Sequence, residues 1–240
     1  MMLRKWEALP PELKTKEVER YYNILKKKKN ALVLKRVLDV LVSGLLLIVL
    51  SPLFIVTALA IKLDSRGPVF YRQVRVTQYG EPFRIFKFRS MVTDADKALQ
   101  LTVGNDSRVT RTGRFIRRLK IDELSQLIDV FRGKMTFVGT RPEVPRYVEK
   151  YTDEMMATLL LPAGITSLAS VYYKDENQLL DEAEDPERTY IEKVLPDKMY
   201  YNLRAIEKFS LFEDARVVVM TVLAVLGKDY GKEKPQTVKK

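Results

Sequence analysis

The chain contains no cysteine and no histidine. The first absence excludes disulfides, thiolate nucleophiles and zinc–thiolate sites, and it fits a reducing compartment. The second excludes Ser–His catalysis and imidazole metal ligation. Any chemistry must therefore come from carboxylates, lysine, arginine, hydroxyls or a hard cation held by oxygen. Acidic residues are also in deficit. Against 42 Lys and Arg stand only 31 Asp and Glu, a formal net charge of +11 that favours phosphates, nucleic acid or acidic lipid headgroups as partners. With 46% apolar and 30% charged residues, the 240-residue chain is expected to fold, and it is long enough for one substantial domain with an appendage.

Much of the apolar content lies in one segment. From Val40 to Ile61 the chain carries no charged side chain, and that length matches the ~30 Å hydrocarbon core of a bilayer. Its distance from the start of the sequence and its length argue against a removable signal peptide. Lys26 to Lys29, Lys35 and Arg36 precede it; Lys62, Arg66, Arg72 and Arg75 follow it. Both ends thus carry the positive charge of cytoplasmic loops, whereas a straight span would send one end outward. At the centre stands Ser51-Pro52. Proline removes a backbone donor and crowds the preceding turn, and serine can satisfy a freed carbonyl, so a break is predicted there. These features favour a re-entrant helical hairpin over a straight transmembrane helix. Residues 1–34, with Trp6 and Tyr21-Tyr22 close to four lysines, read as a basic interfacial arm, the alternative being a solvated basic helix.

Beyond the segment, Asp64 to Pro68 reads as a turn. Val69 to Val76 and Phe83 to Phe88 read as the strands of a hairpin that would gather Arg72, Arg75, Lys87 and Arg89. Arg111 to Lys120 brings five cations directly before Asp122-Glu123. From Ile121, apolar residues recur at helical spacing as far as Arg132-Gly133, which places both carboxylates in a first helical turn. Two readings stand open. Asp122 could cap the helix, with Glu123 complementing its dipole. Alternatively, an ionised carboxylate amid guanidiniums could attack phosphorus while its neighbour holds a divalent cation. The turn Gly139 to Pro142 fixes Arg141, which could grip phosphate bidentately or pair with a local carboxylate. Leu211 to Leu226 reads as a helix, core in preference to interfacial.

The order of these motifs resembles the bacterial sugar transferases, the monotopic polyprenyl-phosphate sugar-1-phosphate transferases. Across residues 35–225 the resemblance rests on Lys35-Arg36-Val37-Leu38-Asp39, Ser51-Pro52, GPVFYRQVRV, FKFRSM, DSRVTRTGRFIRR, IDEL, GKMTFVGTRP and AGITSLASV. It implies a helix-rich α+β monotopic membrane protein with a re-entrant broken helix and a small cytoplasmic catalytic domain. The implied organisation is an interfacial arm over 1–34, the membrane helix over 35–64, the catalytic domain over 65–230 and a basic tail over 231–240.

The implied reaction moves a sugar-1-phosphate from a UDP-sugar to undecaprenyl phosphate, with Mg2+ as cofactor and UMP released, at the bacterial cytoplasmic membrane. It would initiate a surface polysaccharide or glycoconjugate. Carried onto matching positions, Asp122 would be the nucleophile forming a phosphosugar intermediate and Glu123 the magnesium-associated carboxylate, with Arg117, Arg141 and Lys87 on phosphate. Membrane lipid would be a further partner, and a homodimer is compatible with this reading. Ser125 stands where the family commonly has proline, Thr140 replaces the first proline of a Pro-Arg-Pro turn, and Lys120 replaces a small polar residue. Two rivals differ in class. One is a catalytically silent scaffold of a glycan-assembly pathway. The other is a membrane-tethered nucleic-acid-binding protein, which would leave the Asp122-Glu123 pair without a role.

Overall fold

The computed structural model describes residues 3–92 and 108–231. Asp106 and Ser107, the start of one motif, and the basic tail from residue 232 lie outside the described residues. The chain is helix-rich α+β, with six short strands among the described residues.

Helix α1 (Lys16–Lys27) starts at Thr15, whose hydroxyl accepts the Val18 N–H. It is the first helix of the core. Val18, Tyr21, Tyr22 and Leu25 join Leu9 and Leu13 in a cluster closed by Leu160 and Ile206. Leu9, Leu13, Val18, Leu25 and the Tyr21-Tyr22 pair are thus committed to the protein interior, while Val33 and Leu34 are exposed.

Helix α2 (Lys29–Val49) and helix α3 (Ser51–Asp64) meet at Leu50 with a bend of 61°. Pro52 falls in the first turn of α3, where its missing N–H leaves no helical bond unmade. The Ser51 hydroxyl donates to the Ile48 carbonyl at 2.8 Å and so satisfies an acceptor freed by the break. No single described helix is long and apolar enough to cross a membrane, but the bent pair passes together by length and composition. Leu41, Leu45, Ile48, Val56 and Leu59 are all exposed on it.

The predicted hairpin forms, but in two pieces. Strand β1 (Phe70–Tyr71) pairs with β4 (Lys87–Phe88), and β2 (Val74–Val76) with β3 (Pro82–Arg84), both antiparallel. The ladder is interrupted at Phe86, whose N–H donates to the Asp129 carboxylate instead of to a strand. Helix α4 (Arg111–Arg118) follows. The single helix expected from Ile121 is divided into α5 (Ile121–Leu124) and α6 (Leu127–Phe131), and Gly133, at φ 83°, ends it where Arg132-Gly133 predicts.

Strand β5 (Met135–Val138) then runs parallel to β6 (Ala163–Thr166), with helix α7 (Pro145–Val148) on the connection. Their close approach requires glycine, because a Cβ on Gly164 would lie 2.2 Å from the Gly139 nitrogen. Helices α8 (Leu168–Tyr172), α9 (Glu176–Asp181) and α10 (Pro186–Thr189) lead through a π-helical turn, Tyr190–Val194, into α11 (Leu195–Glu207). Helix α12 (Leu211–Val225) corrects the expectation of a core helix. Only Val217 and Met220 are buried on it, while Phe212, Val219 and Val222 are exposed.

Three side chains of α2 fasten the broken helix to this body. Lys35 pairs with Asp214 of α12 at 2.6 Å, and Arg36 donates to the Val130 and Phe131 carbonyls at the end of α6. Asp39 accepts the Thr136 hydroxyl at 2.7 Å and the Phe137 N–H at 3.3 Å. The Lys-Arg-x-x-Asp pattern is therefore a docking device. Asp39 follows Lys35 and Arg36 by four and three residues, one helical turn on, and each of the three reaches a different element.

Candidate active site

Lys120 adopts a left-handed backbone, φ 56° and ψ 19°, and thereby turns the chain between α4 and α5. The turn delivers Asp122 into the interior, where it is only 2% exposed. It does not cap the helix, because α5 has no side-chain cap bond. Its Oδ2 lies 3.1 Å from the Lys87 ammonium, and its Oδ1 is buried without a hydrogen-bond partner. A buried polar oxygen without a partner is costly, which singles this position out.

Glu123 is held by two cations. Arg141 donates to Oε1 at 2.6 Å and to Oε2 at 3.3 Å, and Lys87 stands 3.5 Å from Oε1. Burial opposes ionisation of this carboxyl, but the charges of Arg141 and Lys87 and the bonds from Arg141 prevail and hold it far below the usual carboxylate range. Glu123 in turn reinforces protonation of Arg141.

The two cations come from different elements. Lys87 projects from β4. Arg141 sits on a turn whose Thr140 carbonyl accepts the Gly164 N–H at 2.8 Å and whose Pro142 carbonyl accepts from Arg75 at 3.0 Å. Beside it, the Tyr190 hydroxyl donates to the buried Glu143 carboxylate, and Lys198 bridges to Glu176 at 3.0 Å.

Four of the five residues singled out by the sequence, namely Asp122, Glu123, Lys87 and Arg141, thus converge. Arg117 does not join them. It is half-buried on α4, and its guanidinium makes no hydrogen bond or ion pair among the described residues. The other hairpin cations also disperse. Arg89 donates to the Ser65 and Arg66 carbonyls at the end of α3, and Arg72 stacks on Phe86 at 3.5 Å from the ring centre. Both serve the scaffold. Sequence reading missed Asp129 and Ser125, which bond to the Phe86 peptide from either side.

Among the described residues no group of three or more acidic side chains gathers to hold a metal ion. Of the adjacent Asp122 and Glu123, Asp122 has the oxygen open to a hard cation such as magnesium, which is commonly bound by one or two carboxylates with substrate phosphates and water completing the shell. The unpartnered Asp122 Oδ1 is the free donor, since both Glu123 oxygens already face cations.

The site is thus a buried carboxylate with a bare oxygen, bracketed by Lys87 and an Arg141–Glu123 pair. The family comparison is more specific. The bacterial sugar transferase model matches residues 30–228, and the chain belongs to the bacterial sugar transferase family. It is 36% identical over 197 residues to a UDP-glucose:undecaprenyl-phosphate glucose-1-phosphate transferase of Klebsiella pneumoniae, covering 80% of this chain and 40% of that protein. A protein of the same name from Caulobacter vibrioides is 37% identical over 200 residues, 81% of this chain and 70% of its own length. An N-acetylgalactosaminephosphotransferase acting on undecaprenyl phosphate, from Aeromonas hydrophila, is 36% identical over 197 residues, 80% of this chain and 44% of its own. The chain spans about two fifths of the length of the first curated relatives it matches.

Proposed function

We propose that this chain transfers a sugar-1-phosphate from a UDP-sugar to undecaprenyl phosphate at a membrane surface, releasing UMP. The observation that carries the reading is the buried Asp122 carboxylate, one oxygen held by Lys87 and the other bare, beside a Glu123–Arg141 pair. Family membership and the printed activities of the relatives support it.

In the proposed sequence, an Asp122 oxygen attacks the phosphorus that carries the sugar. The bond from that phosphorus to the UMP oxygen breaks, and the sugar-1-phosphate becomes an acyl phosphate on Asp122. A phosphate oxygen of the lipid then attacks the same phosphorus, and the Asp122 carboxylate leaves. Lys87 and Arg141 offset charge on the diphosphate, the kind of preorganised cation placement that phosphoryl transfer depends on. Arg117, free of partners among the described residues, is a further phosphate ligand in this reading. Glu123 with Asp122 Oδ1 would hold Mg2+, which supplies charge neutralisation on the phosphates when bound.

The exposed apolar face of the bent α2–α3 pair and the exposed residues of α12 support a monotopic seat in a bacterial cytoplasmic membrane, with the remainder on the cytoplasmic side. Tags placed before Leu32 and after Ser65 would then both be protected from reagents outside the cell; outside labelling of one alone would mean a straight span. The reaction itself is tested by screening UDP-sugars for UMP release with a polyprenyl phosphate present. Release dependent on one donor supports the reading, and none across glucose, N-acetylgalactosamine and other UDP-sugars rejects it.

A further inference from the structure

The hairpin ladder is broken at a single peptide, and the groups that replace the ladder come from Ser125, which directly follows the α5 turn bearing Asp122 and Glu123, and from Asp129 on α6. The Phe86 N–H donates to Asp129 Oδ2 at 2.7 Å. On the other side, the Ser125 hydroxyl lies 3.1 Å from the Phe86 carbonyl oxygen and 3.1 Å from that of Asp122, so its one proton bridges the strand and the helical turn. Both side chains are buried. The next residue along the strand is Lys87, whose ammonium stands 3.1 Å from Asp122 and 3.5 Å from Glu123.

We propose that Ser125 and Asp129 are positioning residues: by gripping the Phe86 peptide from both sides they fix the Lys87 ammonium between Asp122 and Glu123. This rests on the transferase reading for its catalytic consequence, but not for its geometry. Lys87 has a long, flexible stem whose ammonium is only as well placed as the backbone beneath it. A two-residue strand such as β4 supplies little restraint of its own. The Phe86 peptide is the last rigid unit before that stem, and it is tied directly to the turn bearing Asp122. A proline at position 125 would offer neither the bond to Phe86 nor the bond to Asp122. The backbone there, φ −63°, would accommodate proline's ring, so the hydroxyl is not demanded by the turn itself.

The test uses the full chain in detergent, with Ser125→Ala, Asp129→Ala and Asp129→Asn. Asparagine keeps an oxygen to accept the Phe86 N–H, and alanine does not. Two quantities are read: kcat and KM for UMP release, and the rate at which acetic anhydride modifies Lys87, followed by peptide mass spectrometry. The expected result is a kcat about tenfold lower for both alanine variants with KM within about twofold, and Lys87 acetylated several-fold faster. Asp129→Asn should restore both.

Alanine variants with unchanged kcat and unchanged Lys87 labelling would overturn the proposal. So would a loss that disappears when activity is normalised to folded protein, or an asparagine variant as impaired as alanine. If the unsubstituted chain releases no UMP, the transferase reading fails instead, and Lys87 labelling alone then decides the positioning.

Discussion

Arg141 approaches Glu123 through both terminal nitrogens, at 2.6 and 3.3 Å, from a turn nearly twenty residues further along the chain. A planar guanidinium can meet both oxygens of a carboxylate at once, and a lysine cannot. The pair therefore fixes the angle at which the Ile121–Leu124 turn presents its neighbour Asp122, as well as placing positive charge beside it.

Arg141→Lys should accordingly lower kcat/KM for the UDP-sugar by about tenfold or more even though the charge is kept. Steady-state kinetics of UMP release would show it. Kinetics equal to those of the unsubstituted chain would mean that charge alone suffices.

Glu123→Gln removes the carboxylate that holds Arg141 and faces Lys87. It should lower kcat and raise the magnesium concentration needed for half-maximal rate. A titration of UMP release against Mg2+ measures both; an unaltered curve would remove Glu123 from any role with the cation.

The Lys35–Asp214 pair ties the broken helix to α12 at 2.6 Å, and its side chains are only 5% and 20% exposed. Burial pushes the Asp214 carboxyl up, against the pull of Lys35. Breaking a buried pair from one side typically costs about 3 kcal/mol or more, because the partner is left charged without compensation. Lys35→Met should therefore lower the thermal midpoint sharply, and adding Asp214→Leu should recover most of the loss. Equal destabilisation by the single and double variants would contradict this role.

Burial raises the Asp129 carboxyl to about 6, with the Phe86 N–H and the Arg72 and Arg132 charges pulling the other way. A carboxyl whose folded value exceeds its unfolded value binds more protons when folded. Its contribution to stability is thus fully present below about pH 4 and is lost as pH rises through about 6. Asp129→Asn should be the more stable protein at pH 7–8, by at most about 3 kcal/mol, and this advantage should shrink on acidification to pH 4–5. Thermal midpoints across that range check the sign. A variant less stable at pH 8 than at pH 5, relative to the unsubstituted chain, would reverse it.

The sequence makes the break at Ser51-Pro52, the stop at Gly133 and the convergence of Asp122, Glu123, Lys87 and Arg141 legible. Each is local chemistry or an ordered motif: a missing donor, a left-handed turn, an acidic pair after a basic run. Tertiary partnership was not legible. The sequence gathers Arg89 and Arg75 with Lys87 as one cluster of hairpin charge, yet they serve backbone carbonyls just after α3 and in the Arg141 turn. The apolar periodicity of Leu211 to Leu226 is the same for a core helix and an exposed one, since it does not say what covers the face. Nor could spacing reveal that Asp129, seven residues after Asp122, leaves the acidic pair to take the amide of Phe86.

The central claim is that Asp122 itself bonds to phosphorus. The decisive measurement is the intact mass of the purified chain, with peptide mapping, after incubation with the donor that supports UMP release and with no lipid acceptor. The account predicts a mass increase equal to one sugar-1-phosphate on the peptide bearing Asp122, absent in Asp122→Asn, which should still sediment with membranes. A chain that turns over yet never carries that adduct, or an Asp122→Asn variant that releases UMP at the normal rate, would contradict it.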